Sequence, residues 1–259
     1  MAAYLSSFRF VCFFQLSWRV GVLNSSERHQ TFEAPVALCA EQHRHHGFIR
    51  PTSTMKTPNL FAPITLAEFA DISRCYPILF FNEDAVFPVA IAGQVRRGQQ
   101  IFSPAASGAN AYLPAVYQLY PFMLEKLPDQ DAGILLFDSS AGQVVPLEQN
   151  AAALPLFDEA GQPTNLLHQL AGFAAQIHEG RRRASLFAEA LRNKGLLTPS
   201  LVEFSQPSEH GQRRSHLYTI SEPTFRALSS NTVYDWFLSG FLEAAQLALL
   251  SQRHWQNYQ

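Results

Sequence analysis

Charge is scarce in this chain: Asp, Glu, Lys and Arg make up 15% of its 259 residues, well below the usual quarter. With a formal net charge of −2, no broad electropositive surface is available, which argues against nucleic acid and anionic membrane as partners. Cysteine is scarce too. Cys12, Cys39 and Cys75 form no CxxC pair and cannot all bridge one another, so neither a disulfide scaffold nor a zinc finger is expected, and a reducing, cytoplasmic location fits. No uninterrupted apolar run reaches the length of about 20 residues that a spanning helix needs. The longest candidate, residues 233–250, is punctuated by Asp235, Ser239, Gly240 and Glu243, and reads as two packed helices. Missing as well are a nucleophile elbow, a P-loop, a zinc-protease helix and a dinucleotide fingerprint. No catalytic residue, cofactor or metal is therefore assigned.

What is abundant is apolar and aromatic. At 47% hydrophobic, with 21 Phe, 8 Tyr and 16 Pro, the chain can bury a substantial core of short, often interrupted elements. The first 54 residues differ from the rest. They hold no lysine, five of the arginines and two of the three cysteines, and show no sustained period. Arg9, Gln15 and Arg19 break up any signal-like apolar core. Residues 1–54 are accordingly expected to be a poorly ordered extension, with Met55 as the expected start of translation and residues 55–259 as the folded domain. The run "HRHHG" (43–47), with His29 upstream, has imidazoles at close spacing but no acidic or cysteine partner at finger-like distance, and reads as part of a basic tail.

Beyond Met55, Thr65 is placed to cap a short helix over 66–73. "YPILFF" (76–81) and "FPVAIAGQV" (87–95), joined by "NED", predict a hairpin. "GILLFDSSAGQVVPL" (133–147) reads as strand, turn, strand, with Asp138 and Gly142 supplying the turn. The Phe-Asp of 137–138 is echoed at 157–158. Turn chemistry explains both aspartates, although a cofactor-free acid/base site using Asp138, Asp158 or Glu222 is the alternative. Helical spacing of Leu166, Leu167, Leu170, Phe173, Ala174 and Ile177 predicts a helix capped near Thr164 or Asn165 and interrupted at Gly180. A second helix over 185–194 ends at Gly195, so "RRRAS" (181–185) falls in a connecting turn. Two strands around a polar loop (201–221) and terminal helices capped at Ser221 and Asn231 complete the pattern. Strands first and helices later predict an α+β fold, with a mostly antiparallel sheet in the first half and helices concentrated in the C-terminal half.

The segment "AYLPAVYQLYPFML" (111–124) carries three tyrosines and two prolines. Pro114 and Pro121 bias Leu113 and Tyr120 toward extended backbone, so a strap presenting aromatic rings is expected. Tyr112, Tyr117, Gln118 and Tyr120 are the candidate ligand- or partner-binding residues, with Leu113 and Phe122 as core and Tyr117 and Gln118 at the rim. Together with "YPILFF", "LPLFDEAGQPTNLL" (154–167), "SLFAEALRNKGLL" (185–197) and "SGFLEAAQLALLSQRHW" (239–255), "YLPAVYQLYPF" resembles the bacterial SapC family from Met55 onward. Gln118 and Leu119 stand where relatives tend to carry two arginines. The resemblance implies a non-catalytic accessory or binding protein of surface-layer or outer-membrane uptake systems, with an unknown small molecule, peptide or protein as partner.

Overall fold

The computed structural model describes residues 32–50, 61–82, 85–91, 94–96, 99–101, 112–126, 133–208 and 211–257. Its strands are β1 (Pro35–Ala37), β2 (His46–Phe48), β3 (Phe61–Pro63), β4 (Ile78–Asn82), β5 (Val86–Ile91), β6 (Gln94–Arg96), β7 (Gln99–Ile101), β8 (Phe122–Lys126), β9 (Gly133–Asp138), β10 (Val144–Pro146), β11 (Leu154–Pro155), β12 (Leu197–Ser208) and β13 (Gly211–Ile220). The helices are α1 (Ala40–His43), α2 (Phe69–Cys75), α3 (Ala115–Leu119), α4 (Asn165–Asn193), α5 (Glu222–Arg226), α6 (Ser230–Ser239) and α7 (Phe241–Ser251). The fold is α+β as expected: every strand pair is antiparallel, and the long helices lie in the C-terminal half. The chain divides into two compact units, each built from two stretches of sequence. One takes residues 1–58 and 116–178, the other residues 59–115 and 179–259.

In the second unit a five-stranded sheet runs in the order β12-β13-β4-β5-β3, and β6 pairs with β7 alone. The predicted hairpin is β4 with β5, in register from Ile78 opposite Ala90 to Asn82 opposite Val86. Both strands read as unbroken apolar runs because both of their faces are covered. Leu79, Phe81, Phe87, Val89 and Ile91 join Phe61 and Leu217 on one face, where the Phe81 and Phe87 rings stack at 5.1 Å. From the opposite side of β4 the Phe80 ring meets Phe187 of α4 at 6.1 Å. Phe187 also contacts Phe69, Trp236 and Phe241, so one ring ties α2, α4, α6 and the start of α7 to the sheet.

Helix α4 differs from expectation. It runs unbroken through Gly180, and "RRRAS" lies inside it instead of in a turn. Gly180 is required by a neighbour: a Cβ there would fall 2.7 Å from Thr65 Cγ2. The three arginines sit along the helix, with Arg182 paired to Glu179 at 2.6 Å and Arg183 donating to the Ser239 carbonyl at 2.9 Å. The helix ends at Gly195 as predicted, with φ of 66° and the Leu196 amide closing on the Leu191 carbonyl. Ser221 caps α5 as expected, whereas α6 is capped by Ser229, whose hydroxyl accepts from the Thr232 amide, and not by Asn231.

The first unit contains two three-stranded sheets, β1-β9-β8 and β10-β2-β11. Residues 35–48, expected to lie in a poorly ordered extension, here supply two strands and the buried side chains of Leu38, Cys39, His43 and Phe48. Residues 1–31 and 51–54 of that expected extension lie outside the described residues. β2 is the central strand of its sheet, and Gly47 lets its neighbours close in, since a Cβ there would come within 2.6 Å of Leu147 Cδ2. "GILLFDSSAGQVVPL" does form strand, turn, strand, with Gly142 left-handed at φ of 66°. The two strands enter different sheets, however, so they make no hairpin.

Candidate functional site

Between its two prolines the tyrosine segment is not an extended strap. Ala115–Leu119 forms a five-residue helix, which suits a stretch opened by Pro114. Tyr112 and Ala115 bond to a buried carboxylate of the second unit, and Tyr120 bonds to one of the first.

In the second unit Thr65 and Glu68 form a capping box. Glu68 Oε2 accepts from the Thr65 amide at 2.8 Å and from its hydroxyl at 2.9 Å. The other oxygen, Oε1, accepts from the Ala115 amide at 2.6 Å and from the Tyr112 phenol at 3.4 Å. The hydroxyl of Tyr112 is thus directed to a buried structural carboxylate.

In the first unit Asp138 is 1% exposed and accepts five hydrogen bonds. These come from the amides of Glu33, Ala34 and Ser140, the Ser140 hydroxyl at 2.7 Å and the Tyr120 phenol at 3.2 Å. Burial works to raise the Asp138 pKa, but the Ser140 hydroxyl and the backbone donors outweigh it and hold the carboxyl below its usual value. Tyr120 moves the other way: burial first, then the charge of Asp138 and the bond to it, then Glu33, push the phenol well above its ordinary value. A carboxylate that stays ionised beside a phenol that stays protonated holds no group poised near neutral pH for proton transfer. The remaining carboxylates of the acid/base alternative are also engaged locally. Asp158 accepts the Gln162 amide at 2.7 Å in its turn, and Glu222 pairs with Arg226 at 2.7 Å on α5.

Of the other candidates, Tyr117 is buried at 5% exposure, where the rim was expected, and Gln118 is exposed. Phe122 is core, as expected, at 1% exposure, while Leu113 is half-buried. Tyr112 and Tyr120 thus each bond to a structural carboxylate of their own unit, and Tyr117 belongs to the core of the first.

Within "HRHHG", His43 is buried, its Nδ1 lying 3.2 Å from the Cys39 amide and 3.1 Å from the Cys39 carbonyl. Its ring meets those of His46 at 5.3 Å and Phe137 at 5.2 Å. Burial is the main cause of a lowered His43 pKa; the Cys39 backbone opposes it and His46 adds to it. Among the described residues no group of three His, Cys, Asp or Glu side chains is placed to hold a metal ion.

Two pH windows of stability follow. The unfolded chain takes up a proton on His43 that the folded chain resists, so stability is expected to fall as pH drops below about 6.5. The depressed Asp138 contributes stability that is complete above about pH 4 and lost as pH falls through its folded value. Asp138→Asn is expected to cost about 2–3 kcal/mol at pH 7, the scale of hydrogen bonds to a charged group. Its deficit against the parent chain narrows below pH 4. Urea unfolding at a series of pH values checks this, and a deficit independent of pH would contradict it.

The residues that sequence reasoning missed lie on α6 in the second unit. Thr232 and Trp236 face inward, and the Trp236 ring meets Phe187 and Phe241. On the opposite side Tyr234, Phe237 and Leu238 are 64%, 70% and 66% exposed. The signal was legible: a ten-residue helix with apolar residues at 234, 237 and 238 as well as at 236 is apolar on two faces, and only one can be packed inward. Reading 233–250 simply as two packed helices hid it.

The SapC family model matches residues 38–257 of the chain. The chain belongs to the SapC family. The match begins upstream of Met55, at the buried Leu38. No curated protein and no solved structure matches the chain.

Proposed function

We propose that the protein is a non-catalytic accessory protein that acts by binding a macromolecular partner, in the setting the family resemblance implies: bacterial surface-layer or outer-membrane uptake systems. The observation that carries this reading is the outer face of α6. Three large apolar side chains lie side by side in solvent on a helix whose inner face is already packed. Contiguous apolar surface of that kind marks interaction sites. The engagement of Glu68 and Asp138 in structural hydrogen bonds supports binding over chemistry.

A photo-reactive residue placed at Phe237 is expected to crosslink a defined partner in the native host, in a manner lost when Leu238→Ser is added. The same residue placed at exposed Gln169 on α4 is expected to give no such product. Because Leu238 is exposed, Leu238→Ser should leave stability within about 0.5 kcal/mol. Crosslinking that is the same from both positions would count against the reading.

A further inference from the structure

We infer that the outer face of α6 receives an amphipathic helix whose apolar stripe is bordered by lysine or arginine, an inference that rests on α6 being the binding face. Tyr234, Phe237 and Leu238 stand at i, i+3 and i+4, the spacing with which one helix presents anchors to another. The platform is preorganised, which limits the ordering cost of docking. Ser229 caps its first turn, and Gly240 ends it in the left-handed conformation. Trp236 seats its inner face, and Arg183 holds the Ser239 carbonyl at 2.9 Å.

Charge decides between occupants. Asp235 follows Tyr234 on the helix and Glu243 lies in the first turn of α7; both are exposed, and neither makes an ion pair among the described residues. Residues 229–252 hold no lysine or arginine, so neither α6 nor α7 carries a cation to offset these carboxylates. Arg183 offsets the carbonyl end of α6, and Arg226 pairs with Glu222 at 2.7 Å. A second copy docked through the same two helices would bring two more carboxylates and no lysine or arginine from α6 or α7 to balance them, and an anionic lipid surface would be repelled. A helix with cations along its edges satisfies both the apolar stripe and the exposed acids.

Two synthetic helices of about 14 residues, roughly four turns, test this against the full chain by fluorescence anisotropy. They share one leucine stripe and differ in having lysine or glutamate at its edges. The lysine-edged peptide is expected to bind about tenfold more tightly or better, with a preference that shrinks as salt is added. Asp235→Lys should reduce or invert that preference, and Phe237→Ser should abolish binding of both peptides. Equal binding of the two, lost in Phe237→Ser, overturns the charge inference while leaving α6 as a binding face. Failure of both peptides to bind, or binding indifferent to Phe237→Ser, overturns the face as well. Self-association in sedimentation that Phe237→Ser removes overturns the inference in favour of a second copy.

Discussion

A chain begun at Met55 is expected to lose cooperative folding of its first unit. The truncation removes β2, the strand between β10 and β11, and leaves those two without a partner. It removes β1 from the edge of β9, and with it the Glu33 and Ala34 amides that satisfy the buried Asp138. The Phe48 ring, which meets Phe122 at 5.1 Å, goes too; losing one buried phenylalanine alone costs about 3–5 kcal/mol. Added to Leu38 and three strand pairings, the loss exceeds what a domain stable by about 5–15 kcal/mol can absorb. Hydrogen exchange reads the result region by region: amides of β9 and β10 should exchange freely in the truncated chain and be protected in the full one. Protection of those amides without residues 33–48 would refute the expectation.

The second large effect is at Tyr117. Sequence placed it at the rim, where substitutions away from packing cost within about 1 kcal/mol. Burial at 5% exposure reverses that. Tyr117→Ala is now expected to cost about 3 kcal/mol or more, close to the 3–5 kcal/mol expected for Phe122→Ala. Gln118→Ala, at an exposed position, should stay within about 0.5 kcal/mol. Urea denaturation of the three variants separates a packed helix from a recognition strap. If Tyr117→Ala unfolded at the parent midpoint, Tyr117 would not be a core residue.

Legibility in this chain followed how local the deciding interaction was. The hairpin of β4 and β5 could be read because both faces are buried, so nearly every side chain reports the same environment. Thr65 and Ser221 could be read because a cap bonds within its own turn. Gly180 could not, since its reason is Thr65, more than a hundred residues earlier, and a local reading sees only a poor helix former. The prolines misled for a related cause: Pro114 suits the entry to a helix as well as an extended strap, and the anchoring of Tyr112 and Ala115 to Glu68 lies outside the segment. For β1 and β2 there was no period to find. Strands of three residues are too short to show alternation, and their place is set by Asp138, Val144 and Leu154, far along the chain. Of the candidate site, the aromatic residues were legible as types; their use was not, and the α6 stripe needed the inner face to be known first.

The way each unit is assembled from two separated stretches bears on the order of events at the ribosome. β4 and β5 emerge early, but β13, which pairs Tyr218 opposite Phe80, and Ser251, whose hydroxyl accepts the Ile78 amide at 2.9 Å, come from the far end of the sequence. Between them the ribosome must make the whole of residues 116–178, a wait of several seconds at roughly 5–20 residues per second. Throughout that interval a nascent hairpin rich in phenylalanine stands with its sheet incomplete, so the vulnerable period of this protein falls during its own synthesis, when a holdase chaperone would have the most to cover.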